Sequence, residues 1–359
     1  MKRIGILFFI LFAIHFLSAQ TKVTKMSATK STDYGVVYFL PKTVLTVHVD
    51  YTKSIQKAGP YARYAEKLLG VNEESVVMED LIYYTLDKVD MSSKGVIDKG
   101  ASYLVEFKSK STASFVYLSE EGLICTINAD YVPESVNNNR FTPTLLAPVP
   151  STPSQPIFTE EYLNAGNVTK KAEVLAKQIY KLRESRTDLL TGEAENVPRD
   201  GEGMKIILAN LEAQEKALVE LFVGTTSTES YDAEFELEPL SDMDKAVLFR
   251  FSKYNGIVDA EDFSGSPVYL NVKDMNMIDE PVFVDPKKKV KEDQCIVYNI
   301  PGKAAVEIFY GVNSMYKNTF SIVQFGRKQI LATSLFEDKK APISIYFYPE
   351  TGAIKQIIQ

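Results

Sequence analysis

Apolar and polar residues alternate with a period of two in two long regions of this chain, and one segment between them shows helical periodicity. In the first region Leu45, Val47 and Val49 alternate with polar neighbours, and similar runs return after Tyr231. Residues 170–223 contain two apolar stripes at helical spacing. Alternation indicates half-buried strands, and each helical stripe requires a partner. The pattern predicts an α+β fold that is predominantly β, with two antiparallel, β-rich, sandwich-like domains connected through an α-helical hairpin.

Composition places the boundaries between these units. Residues 131–160 contain six prolines and three consecutive asparagines, which disfavour regular structure and indicate a surface linker. We also expect Pro41 to end the first strong strand. The predicted units are a signal peptide (1–19), an N-terminal β-rich domain with one short helix (20–130), the linker (131–160), the helical hairpin (161–225) and a C-terminal β-rich domain (226–359).

The two β regions resemble each other, which suggests an internal duplication. Residues 36–41 (VVYFLP) match residues 296–301 (IVYNIP), and the alternating residues that follow align after a one-residue deletion. Further matches near the end of each region pair 115–117 with 345–347 and 120–124 with 350–354. Antiparallel sheets share alternation and glycine turns, so common turn chemistry is an alternative explanation.

The first residues have the features of a secretory signal. Lys2 and Arg3 precede an apolar run, and small residues follow it, so we expect cleavage between Ala19 and Gln20. The run has about 14 residues, whereas a membrane-spanning helix needs about 20, which makes a retained anchor the weaker alternative. Cleavage leaves no N-terminal cysteine, and no later apolar run reaches 18 residues. We therefore expect a soluble periplasmic or secreted protein with no lipid anchor and no integral membrane segment.

The net charge limits the partners that we expect, and the cysteine content limits the possible disulfides. Removal of Lys2 and Arg3 from the 40 basic residues leaves 38 against 47 acidic ones, a net charge of −9, so nucleic acid is not an expected partner. Cys125 and Cys295 both lie in apolar, strand-like runs. They could form a disulfide in an oxidising compartment or remain buried thiols, and the sequence leaves both possibilities open.

Three segments carry a resemblance to a known family. They are residues 38–43 (YFLPKT), 59–65 (GPYARYA) and 183–192 (RESRTDLLTG). In these segments the chain resembles the uncharacterised exported proteins of Bacteroidetes, a domain-of-unknown-function family. The resemblance covers essentially the whole mature chain and implies a Gram-negative envelope. It implies no activity.

Catalytic patterns are sparse. The mature chain has one histidine, His48, which alternation places on the solvent face of a strand. A lone histidine cannot form a zinc site without several other ligands, and no G-x-S-x-G motif accompanies it. Asp259, Glu261 and Asp262 are candidate carboxylates for glycan hydrolysis, with solvated loop acids as the simpler interpretation. We expect no catalytic site, metal or cofactor.

The helical segment offers a second candidate surface. Arg183 and Arg186 share the i, i+3 spacing of Glu212 and Glu215, which predicts ion pairs between the helices. Alternatively, these arginines and the acidic loop after them form a recognition surface that includes Glu193 and Asp200.

The function favoured by these observations is binding without catalysis. The chain is expected to be an exported envelope protein that binds a protein partner or a surface ligand such as a polysaccharide. The alternative is an exported hydrolase that acts on glycans through paired carboxylates.

Overall fold

The structure is a computed structural model, and it describes residues 22–25, 35–106, 116–131, 155–195, 201–280, 295–332 and 343–358. Antiparallel strands predominate, so the predicted α+β, predominantly β fold is confirmed. In chain order the elements are β1 (Lys22–Lys25), β2 (Gly35–Lys57), α1 (Ala65–Leu69), β3 (Leu81–Glu106), β4 (Val116–Leu118), β5 (Ile124–Ile127), α2 (Glu160–Leu163), α3 (Val168–Thr191), α4 (Gly201–Val223), β6 (Thr225–Leu237), β7 (Met243–Ser252), β8 (Gly256–Val258), β9 (Ser266–Ile278), β10 (Cys295–Tyr310), β11 (Asn313–Ala332), β12 (Ser344–Tyr348) and β13 (Ala353–Ile358).

The strands form three antiparallel sheets. Their orders are β1-β3-β2-β6, β11-β10-β9-β7-β8 and β13-β12-β5-β4. Strands of the two predicted β regions share two of these sheets, because β6 pairs with residues 45–57 of β2 and Ile345 of β12 pairs with Ile127 of β5. The two predicted β regions therefore contribute strands to common sheets. The predicted cleavage site at Ala19 and Gln20 and most of the predicted linker lie outside the described residues.

The two longest matching strands run through their prolines. We expected a strand end at Pro41, but β2 continues past it, with a register shift between Phe39 and Pro41. The shift in β10 occurs between Ile300 and Gly302, at the equivalent proline, Pro301. Proline has no N–H to donate, and an irregular register is where a strand tolerates that loss. Each strand can therefore bend without ending.

These bends let each strand contribute to two hydrophobic cores. Before its proline, each strand packs against the β13-β12-β5-β4 sheet, with Tyr38 of β2 and Tyr298 of β10 among the largest buried side chains. After its proline, each strand contributes to the core between the other two sheets, through residues such as Val47 and Val306. Alternation keeps the apolar side chains on the packed face.

The structure confirms the two helices that the apolar periodicity predicts. The predicted helices, 170–190 and 204–223, correspond to α3 and α4. Leu175 and Ile179 of α3 and Leu218 and Phe222 of α4 are buried in a third core, which also includes Tyr61 at the predicted short helix. Ion pairs hold the two helices together, as described below.

Equivalent backbone contacts recur in the two copies of the proposed duplication. The N–H of Phe39 donates to the carbonyl of Gly122 at 2.9 Å, and the N–H of Asn299 donates to the carbonyl of Gly352 at 3.0 Å. The alignment pairs Phe39 with Asn299 and Gly122 with Gly352. Shared alternation alone does not explain why the same distant pair of turns and strands forms the same bond, so these contacts support a duplication.

An ion pair recurs in the same way. Lys42, just after the proline of β2, pairs with Glu238, which follows the neighbouring strand β6. Lys303, just after the proline of β10, pairs with Asp279 at 3.1 Å, and Asp279 follows the neighbouring strand β9. Each proline thus has a lysine–carboxylate pair near it, although Lys42 is one residue past its proline and Lys303 is two residues past its own.

A substitution at Gly352 tests how closely the turn between β12 and β13 packs against Pro41 of β2. Gly352 has φ 66°, and an added Cβ would lie 2.8 Å from Cδ of Pro41. We expect Gly352→Ala to lower the free energy of unfolding by about 2–4 kcal/mol, combining backbone strain with overpacking. Gly70, with φ 68° and open space around its Cβ position, is the matched control and should lose only about 1 kcal/mol as alanine. Urea unfolding measures both, and equal losses would contradict the packing.

Candidate functional site

A cleft lies where β10 bends, between the end of β9 and the turn that joins β12 to β13. We call it the Tyr298 cleft; its volume is about 440 Å³, within the range of small-ligand sites. It is lined by Asp279, Glu280, Tyr298, Asn299, Ile300, Pro301, Lys303, Ser321, Tyr348, Glu350, Thr351, Ala353 and Ile354.

Two polar side chains of the cleft are buried with unsatisfied hydrogen-bonding atoms. Tyr298 and Asn299 are each 1% exposed. The Asn299 amide Nδ2 donates to the carbonyls of Pro41 at 3.1 Å and Thr351 at 2.9 Å. Within the described residues, Asn299 Oδ1 and the Tyr298 hydroxyl have no hydrogen-bond partner. An unsatisfied buried group costs about 1–3 kcal/mol, so such groups in a native protein call for an explanation.

In the first copy of the proposed repeat, the equivalent tyrosine hydroxyl has hydrogen-bond partners, and a phenylalanine replaces the asparagine. Tyr38, the equivalent of Tyr298, accepts a hydrogen bond from the N–H of Val297 at 3.0 Å and donates to its carbonyl at 3.2 Å. Phe39 stands where the second copy has Asn299. The unsatisfied polar pair is therefore specific to the second copy, and the fold alone does not require it.

Charged and aromatic side chains surround the opening. Lys303 Nζ pairs with Asp279 and donates to Ser321 Oγ at 3.0 Å. Glu280 and Glu350 are exposed, and the ammonium group of Lys355 lies 5.6 Å from the ring centre of Tyr348, another lining residue. Burial raises the pKa of Tyr298, which keeps its hydroxyl protonated and able to donate or accept a hydrogen bond. The rim of the cleft therefore carries charges of both signs, above two buried polar side chains.

A larger cavity near the helices is less convincing as a ligand site. It has a volume of about 570 Å³ and lies where α2 meets α3. Its polar lining residues, Glu160, Glu161, Asn164 and Lys170, are all exposed. Water can hydrate these groups, so the cavity contains none of the buried polar groups that mark the Tyr298 cleft.

His48 belongs to a chain of side chains that resembles a serine triad. Its Nε2 lies 2.9 Å from Ser92 Oγ, and its Nδ1 lies 3.1 Å from Glu234 Oε1. The three residues sit on adjacent strands, on the polar face where sequence placed His48. Ser92 lies in an extended strand, where successive N–H groups point to opposite edges and do not converge as an oxyanion hole requires.

The other contacts on this face of the sheet explain the arrangement around His48. Polar cross-strand contacts continue along it through Lys94 and Glu236 and through Thr52 and Asp87. Such pairs stabilise the exposed side of a sheet. The His48 chain is one member of this row.

The predicted carboxylates lie on the exposed loop between β8 and β9. Asp259, Glu261 and Asp262 are all exposed, and Asp259 and Asp262 border a shallow cavity of about 340 Å³. The Asp262 carboxylate accepts a hydrogen bond from the N–H of Ser264 at 2.9 Å, which lowers its pKa. A general acid for glycoside hydrolysis needs a raised pKa, so the observed shift does not favour that role for Asp262.

The predicted ion pairs between the helices are present. Arg183 Nε lies 2.6 Å from one Glu215 oxygen, and Arg186 lies 3.4 Å from the other and 3.8 Å from Glu212. These arginines therefore hold α3 against α4. Glu193 is exposed just beyond α3, and Asp200 lies outside the described residues. The structure thus brings the arginines together with Glu215, while the alternative recognition surface stays a prediction.

Both cysteines are buried thiols in the structure. Of the two possibilities that the sequence left open, a disulfide and buried thiols, the structure has the latter. Burial raises the pKa of Cys125 to about 11. Among the described residues, no group of three histidine, cysteine, aspartate or glutamate side chains could hold a metal ion. None of the helices in the described part of the chain is both long and apolar enough to cross a membrane.

Comparison with known families now places the chain. A family model described as a domain of unknown function (DUF4831) matches residues 34–355. The chain belongs to this family. The DUF4831 match includes every strand except β1 and the end of β13, and it includes all the residues that line the Tyr298 cleft. No curated protein and no solved structure matches the chain.

Sequence reasoning missed the cleft, although the signal was present. Aligning VVYFLP with IVYNIP places one polar residue, Asn299, in an apolar strand at the position of Phe39. A polar residue at a buried strand position requires a partner, and its replacement between two copies marks a change in local role. Tyr298 carried no such signal, because both copies have tyrosine and only the structure distinguishes their hydroxyl groups.

The two tyrosines provide a matched stability test. Tyr298→Phe removes a buried hydroxyl group without a partner, so we expect unchanged stability or a gain of up to about 1 kcal/mol. Tyr38→Phe removes the same atom but breaks both bonds to Val297, and should cost about 1–3 kcal/mol. Urea unfolding of both variants measures the difference. A loss for Tyr298→Phe as large as that for Tyr38→Phe would show that the Tyr298 hydroxyl is satisfied in the protein.

The raised pKa of Cys125 predicts alkaline destabilisation. Between pH 9 and about 11 the unfolded thiol ionises while the folded one stays protonated, so the folded state binds more protons and the free energy of unfolding falls as pH rises. We expect this residue to contribute a loss of about 1–3 kcal/mol across that range. Comparing wild type with Cys125→Ala at each pH isolates its contribution. A constant difference between them would contradict the prediction.

Proposed function

We propose that this DUF4831 protein is a non-catalytic binding protein of the cell envelope, with the Tyr298 cleft as its ligand site. The observation that carries the proposal is a cavity of ligand size whose lining includes two buried residues, Tyr298 and Asn299, each with a side-chain oxygen that lacks a partner among the described residues. A ligand that opens a path to these enclosed oxygens would supply the missing hydrogen bonds. Stability given up at a site for the sake of function is common in proteins.

Export is part of the same proposal. Its support is the sequence of the first 20 residues, with two basic residues, an apolar run and a small-residue cleavage site before Gln20. The resemblance to exported Bacteroidetes proteins adds to that support. In such a location the ligand would be a protein partner or a surface polysaccharide that reaches the cleft.

Binding is favoured over the hydrolase alternative. That alternative depends on Asp259, Glu261 and Asp262, which are exposed on one loop, and the pKa of Asp262 is lowered by its bond to Ser264. The Ser92–His48–Glu234 chain lies on an open sheet face. Neither arrangement resembles a closed site that excludes water around a reacting bond.

A cleft-filling variant tests the proposal. Tagged mature protein is used to capture material from its native envelope and is also applied to an array of envelope polysaccharides. We expect Ser321→Trp, which places a large ring in the cleft, to reduce specific capture at least tenfold. Ser264→Trp, on the exposed loop between β8 and β9, is the matched control and should capture as wild type does.

Both variants must first show the circular dichroism spectrum and the melting cooperativity of wild type. Specific capture retained by Ser321→Trp would rule out the Tyr298 cleft as the ligand site. Turnover of an array glycan that is abolished in an Asp259→Asn/Asp262→Asn variant would favour the hydrolase.

A further inference from the structure

We propose that the free edge of β6 (Thr225–Leu237) binds an extended, basic segment of a partner protein, which pairs with β6 as an additional strand. We call this surface the β6 edge. β6 and β8 are the outermost strands of two packed sheets, and the β6 edge lies on the side where these strands meet. None of its residues lines the Tyr298 cleft, so its role does not depend on the proposed function.

The β6 edge is long and regular. β6 pairs with β2 over all of its 13 residues without a register shift, and it contains no proline or glycine. Among the described residues, β6 has no strand on its other side. Proteins usually shield such edges with a proline, a bulge or a very short strand, because the unpaired N–H and C=O groups can pair with another chain. An added strand would pair the backbone groups of β6 that point away from β2.

An apolar cavity lies beside the β6 edge. Its volume is about 340 Å³, and its walls include Phe235 of β6, Phe249 of β7 and Ile257 of β8. Phe235 stacks on Phe249 with 4.9 Å between the ring centres, so the aromatic core extends to this side of the molecule. Side chains of an added strand alternate between two faces, and those on the face of Phe235 would lie over the cavity. The cavity therefore favours a segment with apolar residues at every second position.

Tyr231 adds an aromatic ring to the same edge. It lies four residues before Phe235, so both side chains are on one face of β6. One face of its ring stacks on Tyr51 of β2, with 5.4 Å between the ring centres and 17° between the planes. Because β2 is on the inner side of β6, the second ring face is turned toward the open edge, and Tyr231 is 39% exposed. A lysine or arginine of an added strand can bind this ring face.

The charge of this side of the molecule favours a basic segment. Residues 225–265, which include β6, β7, β8 and their loops, carry ten carboxylates and three basic residues, a net charge of −7. Three lysines of β2 and β3 pair with three of these carboxylates and reduce the net charge to −4; they are Lys42, Lys53 and Lys94. With His48 neutral, the other charges on the stretch of β2 that pairs with β6, Asp50 and Lys57, cancel. A second copy of this chain would bring the same negative edge and be repelled, whereas a basic segment would be attracted.

Synthetic peptides test this inference. The probe is fluorescently labelled TKVRLKIRT with an amidated C-terminus, in which basic and apolar residues alternate. Its counterpart has glutamate in place of each lysine and arginine. Both are titrated with the mature protein by fluorescence anisotropy at low and high salt. We expect the basic peptide to bind at least tenfold more tightly than the acidic one, with a difference that shrinks at high salt. The basic peptide should also slow amide hydrogen exchange in β6.

Methylated peptides test whether the probe pairs as a strand. In an added strand, the N–H groups of alternate residues point to β6 and the others point to solvent. Two versions of the basic peptide therefore carry N-methyl groups on its odd-numbered or on its even-numbered residues. One version should lose at least tenfold in affinity, and the other should retain most of it. Equal affinities of the two versions would overturn strand addition.

Variants of the protein assign the binding to the β6 edge. Asp232→Asn combined with Glu261→Gln removes two exposed carboxylates from this side and should weaken binding of the basic peptide about three- to tenfold. Glu120→Gln combined with Glu161→Gln removes two exposed carboxylates from other elements and is the matched control, which should bind as wild type does. Equal weakening by both variants would show an effect of overall charge and would contradict the placement on β6.

The outcomes separate this inference from the proposed function. Ser321→Trp should bind the basic peptide as wild type does, because Ser321 lines the Tyr298 cleft. Loss of peptide binding in that variant would overturn the placement on β6. No saturable binding of the basic peptide to wild type would overturn the inference and leave the Tyr298 cleft untouched. A dimer of wild type that the basic peptide dissociates would overturn the partner chemistry, with a second copy of this chain as the occupant.

Discussion

The bends of β2 and β10 at Pro41 and Pro301 are the constraint on which the rest of the structure depends. Each bend lets one strand contribute side chains to two hydrophobic cores. The register shifts accommodate the missing N–H of each proline, so the strands continue past them. The turns at Gly122 and Gly352 then bond to the bent segments through Phe39 and Asn299. Because β6 and β12 complete sheets begun by the first half of the chain, the two copies are joined through backbone hydrogen bonds as well as side chains.

The same junction holds the candidate site. Around the first bend, the polar groups between the copies are satisfied: Tyr38 bonds to Val297, and Thr43 accepts and donates with Gln324. Around the second bend, the hydroxyl of Tyr298 and an oxygen of Asn299 have no partner in the described part of the chain. The two copies of the proposed duplication therefore differ at residues that line the Tyr298 cleft. This contrast is the physical basis for assigning the Tyr298 cleft a role in binding.

Much of the fold could be predicted from periodicity, and much of the site could not. Alternation placed strands on both sides of the helical segment, and helical spacing located α3 and α4, because these patterns reflect burial directly. The β pattern after Tyr231 covers only the second part of β6, because the first residues of that strand are exposed and polar. Pairing between distant strands, such as β6 with β2, leaves no local pattern. The interhelical ion pairs of Arg183 and Arg186 followed from spacing, whereas the cleft depends on which hydroxyl group finds a partner in three dimensions.

The central claim, that the Tyr298 cleft is a ligand site, is tested most directly by a high-resolution crystal structure of the mature protein soaked with the ligand that wild type captures and Ser321→Trp does not. The account predicts this ligand inside the cleft, with polar groups within hydrogen-bond distance of Asn299 Oδ1 or the Tyr298 hydroxyl. A cleft that holds only ordered waters on those two oxygen atoms, with no ligand at saturating concentration, would contradict it, because the polar groups would then be satisfied by solvent alone.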